Sequence, residues 1–336
     1  MHVAVDAQLL HSAGASDDTT TYRSAGVSQY SLQLLQHLAD QIAGQEGWRL
    51  TAFVNDRSFH AAGIDLRYSS PRLAQPLARI AWEQTLLPVE LSRMDADLVH
   101  GLVNVLPLTT TLPGVVTVHD LTFLRLPSAF PTIKRLYLTQ LCRASVERAN
   151  AVIAVSQQTA DDLIHFFRHA GGQAPCGAQR VDGTFGPATA AANADFRTRK
   201  GLPDRYALYV GTLEPRKNLV RLVRAFASWQ QQANPSDRGF ALVLGGAKGW
   251  FYQEIFDLVR ELGLEESVRF PGYIAVEELP AWYRAAELFV YPSLFEGFGL
   301  PVLEAMASGA PVLCSRAPSL LEIVGDCAVT VPAEDH

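Results

Sequence analysis

Short runs of β-branched and aliphatic residues alternate with longer segments of helical period along most of this chain, and that alternation is the tightest constraint on its fold. The unit it predicts is a strand, a crossover helix and a second parallel strand, repeated into open α/β sheets. In the first half the strand candidates fall at 2–7, 50–55, 97–102, 115–119 and 151–155. In the second half they fall at 206–211, 241–244, 268–270, 288–291 and 312–314. Between the first two strands, Val27, Tyr30, Leu34, Leu35, Leu38 and Ile42 form one helical stripe that stops at Gly44. Leu219, Leu222, Val223 and Phe226 mark a further helix, and Ile255, Leu258, Val259 and Leu262 another.

A chain of 336 residues exceeds what one hydrophobic core usually supports, so two domains are expected. The pattern breaks over 171–203, a stretch rich in Gly, Ala and Pro without sustained period, which reads as the interdomain connection. Residues 1–170 then form one Rossmann-like domain and 204–336 the other, with parallel sheets facing across a cleft where ligands bind. With 48% hydrophobic and 18% charged residues the chain has the composition of a globular protein, and no apolar run reaches membrane-spanning length. The apolar start MHVAVDAQLL carries His2 and Asp6 and no basic leader, so it reads as a buried strand and the expected location is cytoplasmic. Four scattered cysteines show no metal or redox spacing, and a net charge of −6 argues against nucleic acid as a partner.

The most informative stretch is LFVYPSLFEGFGLPVLEAMASGAPVLCS, 288–315. An apolar strand ends near Ser293, a flexible loop carries Glu296, Gly297 and Gly299, and a helix opens at Pro301, where proline suits the first helical position. The open amides and partial positive charge of that helix start suit a phosphate, and the preceding glycines let it approach the backbone. Glu296 on the loop and Glu304 one turn into the helix can accept paired hydrogen bonds from sugar or ribose hydroxyls. Arg216 and Lys217 follow the strand 206–211 in a turn before the next helix, and His119 with Asp120 closes the strand 115–119. The polar loop HSAGASDDTTTYRSAG, 11–26, stands where an open sheet presents ligand-binding loops.

The 288–315 stretch resembles the glutamate, seven residues, glutamate signature of the group 1 glycosyltransferases, also called glycosyltransferase family 4. The resemblance extends through YALYVGTLEPRKNLVRLVRAFA, LVLGGAKGW, VRFPGYIAVEELPAWYRAAELFVYPS and EIVGDCAVTVP, and in the first half through VVTVHDLTFLRLPS and ANAVIAVSQQTADDL. It implies a GT-B fold and a metal-independent transferase that retains anomeric configuration by front-face attack and needs no cofactor. Bacterial mannosyltransferases that build surface polysaccharides are the most similar subgroup. They imply GDP-mannose as donor, ahead of a UDP-hexose or dTDP-rhamnose, and a glycan or lipid-linked acceptor at the inner membrane face.

By the same resemblance Arg216 and Lys217 neutralise the donor diphosphate, Glu296 binds the donor sugar and Glu304 the ribose. The backbone of Phe298, Gly299 and Leu300 meets sugar and phosphate. Gly272, Tyr273 and Ile274 pack on the base. Gly211 ends the strand beside the diphosphate, His119 lies by the anomeric carbon, and Gly26 resembles the glycine loop that approaches the phosphates. Many members carry arginine where this chain has Thr212, a loss that Arg216 covers. Relatives also continue through further helices, so this chain is expected to lack terminal ones.

Four rivals are weaker. Asp95, Ala96 and Asp97 match a metal-binding Asp-any-Asp triplet, but they precede an apolar run instead of closing one. The GGAKG after strand 241–244 is an incomplete dinucleotide fingerprint, and no phosphate-loop Lys-Ser or Lys-Thr occurs with it. A non-catalytic sugar-nucleotide sensor or partner subunit on the same scaffold is the alternative of a different class.

Overall fold

The computed structural model describes residues 1–10, 25–127, 130, 132–168, 181–234, 237 and 239–334. The chain divides into two compact units, Met1–Gln179 and Arg180–His336.

In the first unit six parallel strands form one sheet: β1 His2–Ala7, β2 Arg49–Val54, β3 Asp65–Tyr68, β4 Leu98–Gly101, β5 Gly114–Val118 and β6 Ala151–Ala154, in the order β3-β2-β1-β4-β5-β6. The second unit repeats the plan with β7 Tyr206–Val210, β8 Ala241–Gly245, β9 Val268–Gly272, β10 Leu288–Tyr291, β11 Val312–Ser315 and β12 Val329–Val331, ordered β12-β11-β10-β7-β8-β9. Counted within each unit, both orders are 3-2-1-4-5-6, the doubly wound Rossmann order. Its switch point lies between the first and fourth strands, where successive crossovers leave in opposite directions and a crevice opens beyond the strands' carboxyl ends. That crevice lies beyond β1 and β4 in one unit, and beyond β7 and β10 in the other.

Central strands are apolar on both faces because helices cover both, and β8 is buried along its whole length. Helix Leu219–Gln232 buries Leu219, Val223, Phe226 and Ala227, and helix Gln253–Glu261 buries Ile255, Leu258 and Val259. Leu262, read from sequence into the same stripe, lies past the helix end and is exposed. In helix Ala25–Ile42, Leu35 is fully buried, and Tyr30, Leu34, Leu38 and Ile42 pack around the same cluster.

Two strands were not expected from sequence. β3 and β12 are edge strands with mostly exposed side chains, so neither carries an apolar run. The stretch 171–203 is also more ordered than its composition suggests. Its residues 171–180 lie outside the described ones, but Ala190–Lys200 is a helix, capped by Thr189, whose hydroxyl accepts from the Ala192 amide at 3.3 Å. It packs on helix Leu279–Ala285 through Phe196, whose ring meets Trp282 edge-on at 5.7 Å, and through Asn193 and Arg197, which donate to the Arg284 and Ala285 carbonyls. Phe196 is the one residue of the helix that is buried, so no apolar stripe shows in the sequence. Cys142, Cys314 and Cys327 are free thiols, and among the described residues no helix is long and apolar enough to cross a membrane.

Candidate active site

The second switch point is assembled by backbone bonds between loops. The loop after β7 is tied to the loop after β8 by Gly211 N to Gly245 O at 2.9 Å, Leu213 N to Ala247 O at 2.9 Å and Gly249 N to Leu213 O at 3.0 Å. Gly246 N in turn donates to Gly272 O at 2.7 Å. Gly246 approaches so closely that a Cβ there would stand 1.9 Å from the Gly211 carbonyl oxygen. The GGAKG glycines thus serve close packing between loops, not a dinucleotide fingerprint. The turn Pro215–Lys217 follows and ends at Asn218, whose left-handed backbone, φ 60°, asparagine tolerates better than most residues. The Asn218 side chain donates to the Pro292 carbonyl at 3.2 Å, and Leu294 N donates to Arg216 O at 2.9 Å. These two bonds hold the loop after β7 against the loop after β10.

Held this way, Arg216, Lys217 and Glu296 form one buried charge cluster. Lys217 Nζ donates to Glu296 Oε1 at 2.6 Å and to the Tyr291 hydroxyl at 2.6 Å, and it lies 4.8 Å from the Tyr291 ring centroid. Arg216 donates to Glu296 Oε2 at 2.8 Å, to the Phe295 carbonyl at 3.0 Å and, through Nε, to Glu214 Oε1 at 3.0 Å. Two cations therefore face two carboxylates, and Glu214, Lys217 and Glu296 are all buried. Burial alone would raise the Glu296 carboxyl, but the Arg216 and Lys217 charges and the Lys217 hydrogen bond outweigh it and bring it down to about 2. Glu296 is consequently ionised and a pure acceptor at neutral pH. Burial and the adjacent Arg216 charge depress the Lys217 ammonium, against the pull of Glu296 and Glu214. An ammonium has three donors, and two of those on Lys217 are engaged within the cluster.

Gly299 caps the helix Leu300–Ala307 with φ 124°, and a Cβ on it would stand 2.4 Å from Leu320 Cδ2, so neither the backbone angle nor the space admits a side chain. Pro301 has no amide and Val302 N donates to the Gly299 carbonyl at 2.9 Å, so within the first turn of that helix the Leu300 amide is left without an intrahelical carbonyl. Phe298 and Gly299 lead directly into it. Glu304, one turn in, is buried and accepts a hydrogen bond from the Tyr283 hydroxyl at 2.8 Å. Burial pushes its carboxyl up to about 7, and the Tyr283 bond pulls the other way. Glu304 therefore stands apart from the Arg216, Lys217 and Glu296 cluster in its bonding and sits at the edge of ionisation. Beyond β9, Ile274 is buried, with a Cβ on Gly245 only 2.4 Å from its Cδ1, while Tyr273 is half exposed.

In the first unit, His119 follows β5. Its Nε2 can only donate to the Leu102 carbonyl, at 2.8 Å, and this fixes the tautomer and leaves Nδ1 as an acceptor. The His119 amide donates to Asn104 Oδ1 at 2.9 Å, and the ring meets Tyr30 edge-on at 4.9 Å. Burial lowers its basicity against the opposing effects of the Leu102 carbonyl and the Asp120 charge, so the ring is neutral at pH 7. Behind it, Thr117 bridges Tyr30 and His100, at 3.0 Å and 2.9 Å, and burial pushes His100 down to about 4. Gly26 lies in the first turn of the helix Ala25–Ile42 and is exposed; the part of the polar loop at 11–24 lies outside the described residues. Asp97 is taken up at the opposite, amino edge of the sheet, where its carboxylate accepts from the His2 amide at 2.6 Å. Asp97 of the triplet is thus taken up in holding the sheet edge.

Residues 192–334 match the family described as glycosyl transferases group 1, and residues 24–172 match glycosyltransferase family 4. The chain belongs to the group 1 glycosyltransferases. O-antigen chain mannosyltransferase B of Escherichia coli is 33% identical over 223 residues, 66% of this chain and 58% of that protein. A serotype-specific mannosyltransferase WbdA of Escherichia coli is 32% identical over 199 residues, 58% of this chain and 24% of that protein. Sucrose-phosphate synthase from Thermosynechococcus elongatus superposes with a TM-score of 0.75 at 24% identity, over 100% of this chain and 86% of that one. WaaG, a glycosyltransferase involved in lipopolysaccharide biosynthesis, superposes with a TM-score of 0.74 at 17% identity, over 99% and 87%. These superpositions establish the GT-B fold, and the chain spans little more than half, or less, of the two mannosyltransferases' own lengths.

In this group 1 glycosyltransferase the sequence motifs identify Arg216, Lys217 and Glu296, which the fold brings into direct contact. They do not identify Glu214, Tyr291 and Tyr283, which hold those groups and Glu304 in place. The available signal for the tyrosines was slight: phenols inside otherwise apolar strand and helix stripes, each with its buried hydroxyl on a polar partner.

Proposed function

We propose that this chain is a retaining, metal-independent mannosyltransferase that moves mannose from GDP-mannose to a glycan or lipid-linked acceptor in surface-polysaccharide synthesis. The observation that carries it is the Arg216, Lys217 and Glu296 cluster just before the start of helix Leu300–Ala307, at the switch point of a Rossmann unit. The names of the mannosyltransferase relatives favour the sugar.

As the bond from the anomeric carbon to the diphosphate breaks, negative charge gathers on the departing oxygen, and the two cations and the helix amides compensate it. The acceptor hydroxyl forms the new bond to that carbon on the same face and passes its proton to the departing phosphate oxygen, so the configuration is retained. Glu296, held ionised, accepts hydrogen bonds from the donor sugar. Glu304 accepts from the ribose hydroxyls, the segment Gly272, Tyr273 and Ile274 packs on the base, and Gly211, Phe298, Gly299 and Leu300 line the sugar and diphosphate. His119 offers its Nδ1 lone pair to a hydroxyl of the transferring sugar, and Gly26 approaches the phosphates. With the compensating charge supplied by side chains, activity is expected to survive chelator. The same reading includes a cytoplasmic location and peripheral membrane association, which the exposed pair Ile133 and Leu136 beside exposed Lys134 supports. Retention on anionic vesicles would test the membrane part.

A thermal-shift panel of GDP-mannose, UDP-glucose and dTDP-rhamnose tests the donor, since a ligand that binds the native state alone raises the melting temperature. GDP-mannose should give the largest rise; a larger rise with either rival would reassign the sugar nucleotide. Release of GDP during incubation with GDP-mannose and acceptor separates an enzyme from a sensor.

A further inference from the structure

Tyr291 closes β10, the strand that leads into the Glu296 loop, and it is 1% exposed. Its ring stacks on Tyr209 of the neighbouring strand β7, with centroids 5.8 Å apart and planes at 17°, and on Phe289 of its own strand at 5.8 Å and 20°. Packed against two rings in a close-packed interior, the phenol has little freedom to move. Burying a hydroxyl is unfavourable unless it is bonded, and phenylalanine would fill the same space without one. The bond that the Tyr291 hydroxyl makes is to the Lys217 ammonium, at 2.6 Å. Burial and the nearby Glu296 charge push the phenol well above its ordinary value, so it is neutral and accepts from that ammonium through a lone pair. Tyr209 serves a different group, its hydroxyl donating to the Thr212 carbonyl at 3.1 Å.

Two acceptors therefore fix Lys217 Nζ, Tyr291 Oη at the end of β10 and Glu296 Oε1 in the loop beyond it, both at 2.6 Å. A single bond leaves the head of a flexible lysine stem free to swing about that contact. Two bonds to separate groups leave the third N–H one direction to point, and no acceptor among the described residues takes it. Glu296 alone would draw the ammonium wholly onto its carboxylate, since bonds between charged partners are the stronger kind. The phenol opposes that pull, and being neutral it adds no negative charge to repel a phosphate.

We propose that Tyr291 is a positioning residue for Lys217, its hydroxyl and Glu296 together aiming the remaining N–H of the ammonium at the donor diphosphate. The proposal rests on the transferase reading above. Isothermal titration of the full chain with GDP, UDP and dTDP first finds the diphosphate that the parent binds best. Tyr291→Phe keeps the ring and its stacking, and should weaken that diphosphate roughly tenfold, the scale of one hydrogen bond to a charged group. In a Lys217→Met background the same change should cost less than about twofold, because the two residues then no longer act through each other. A merely structural tyrosine would cost the same in both backgrounds. Without any ligand, the Lys217 ammonium signal of ¹⁵N-lysine-labelled protein, assigned by its loss in Lys217→Met, should move in Tyr291→Phe. Should that variant fail to fold, 3-fluorotyrosine at 291, which keeps the hydroxyl as a poorer acceptor, should shift the signal and weaken binding severalfold. Unchanged or tighter binding, an equal loss in the Lys217→Met background, or an unmoved Lys217 signal overturns the proposal. If none of the three diphosphates binds the parent, the transferase reading falls and takes the proposal with it; if the parent binds one and the variant matches the parent, the positioning role alone falls.

Discussion

Replacing Glu296 by glutamine removes one charge from a buried cluster and leaves its shape nearly intact. A carboxyl brought from 4.5 in the unfolded chain to about 2 in the folded one favours folding by about 3 kcal/mol at pH 7, taking about 1.4 kcal/mol per tenfold change. Because the folded value is depressed, this contribution is complete above pH 4.5 and is lost as pH falls through 2. At pH 3 the same two values leave about 1 kcal/mol. Glu296→Gln should therefore be less stable than the parent by about 3 kcal/mol or more at pH 7, the excess reflecting the unpaired Lys217 left buried. The deficit should shrink by about 2 kcal/mol at pH 3. Urea titrations of both proteins at the two pH values, followed by circular dichroism, measure it. Equal stability at pH 7, or a deficit that does not change with pH, would refute the claim that paired cations hold Glu296 ionised.

Glu304 titrates in the opposite sense. Its folded value, raised to about 7, favours the folded unit below pH 4.5 and loses that advantage as pH rises through 7, while GDP affinity should climb over the same range as the carboxylate becomes able to accept from ribose. Tyr283→Phe removes the hydrogen bond that lowers this carboxyl and should shift the inflection of GDP affinity to higher pH, a displacement that isothermal titration at several pH values would detect. In the first unit, His100 is depressed from 6.5 to about 4, so its neutral form adds about 3 kcal/mol of stability above pH 6.5 that is lost as pH falls through 4. His100→Gln should flatten the loss of stability between those limits in an acid titration; an unchanged slope would show that His100 is not its source.

What the sequence revealed and what it hid follow from how each residue acts. The β-branched runs announce buried central strands because both faces are covered, whereas β3 and β12 carry too little apolar surface to be visible. The helix Ala190–Lys200 was hidden for the same reason, having Phe196 as its sole buried anchor. Arg216, Lys217, Glu296 and Glu304 were legible because they stand in contiguous motifs with glycine and proline at positions where the backbone demands them. Glu214 was not, although it lies two residues from Arg216, since only the folded turn makes it a buried counter-ion.

In the proposed transferase side-chain cations hold and discharge the diphosphate, and the initial rate of transfer by Lys217→Gln at saturating GDP-mannose, with chelator present, shows whether they do. Loss of one preorganised electrostatic contact predicts a fall of roughly a hundredfold, with the parent enzyme indifferent to chelator. A near-parental rate in the variant, or a parent that falls silent in chelator and recovers with manganese, would contradict it.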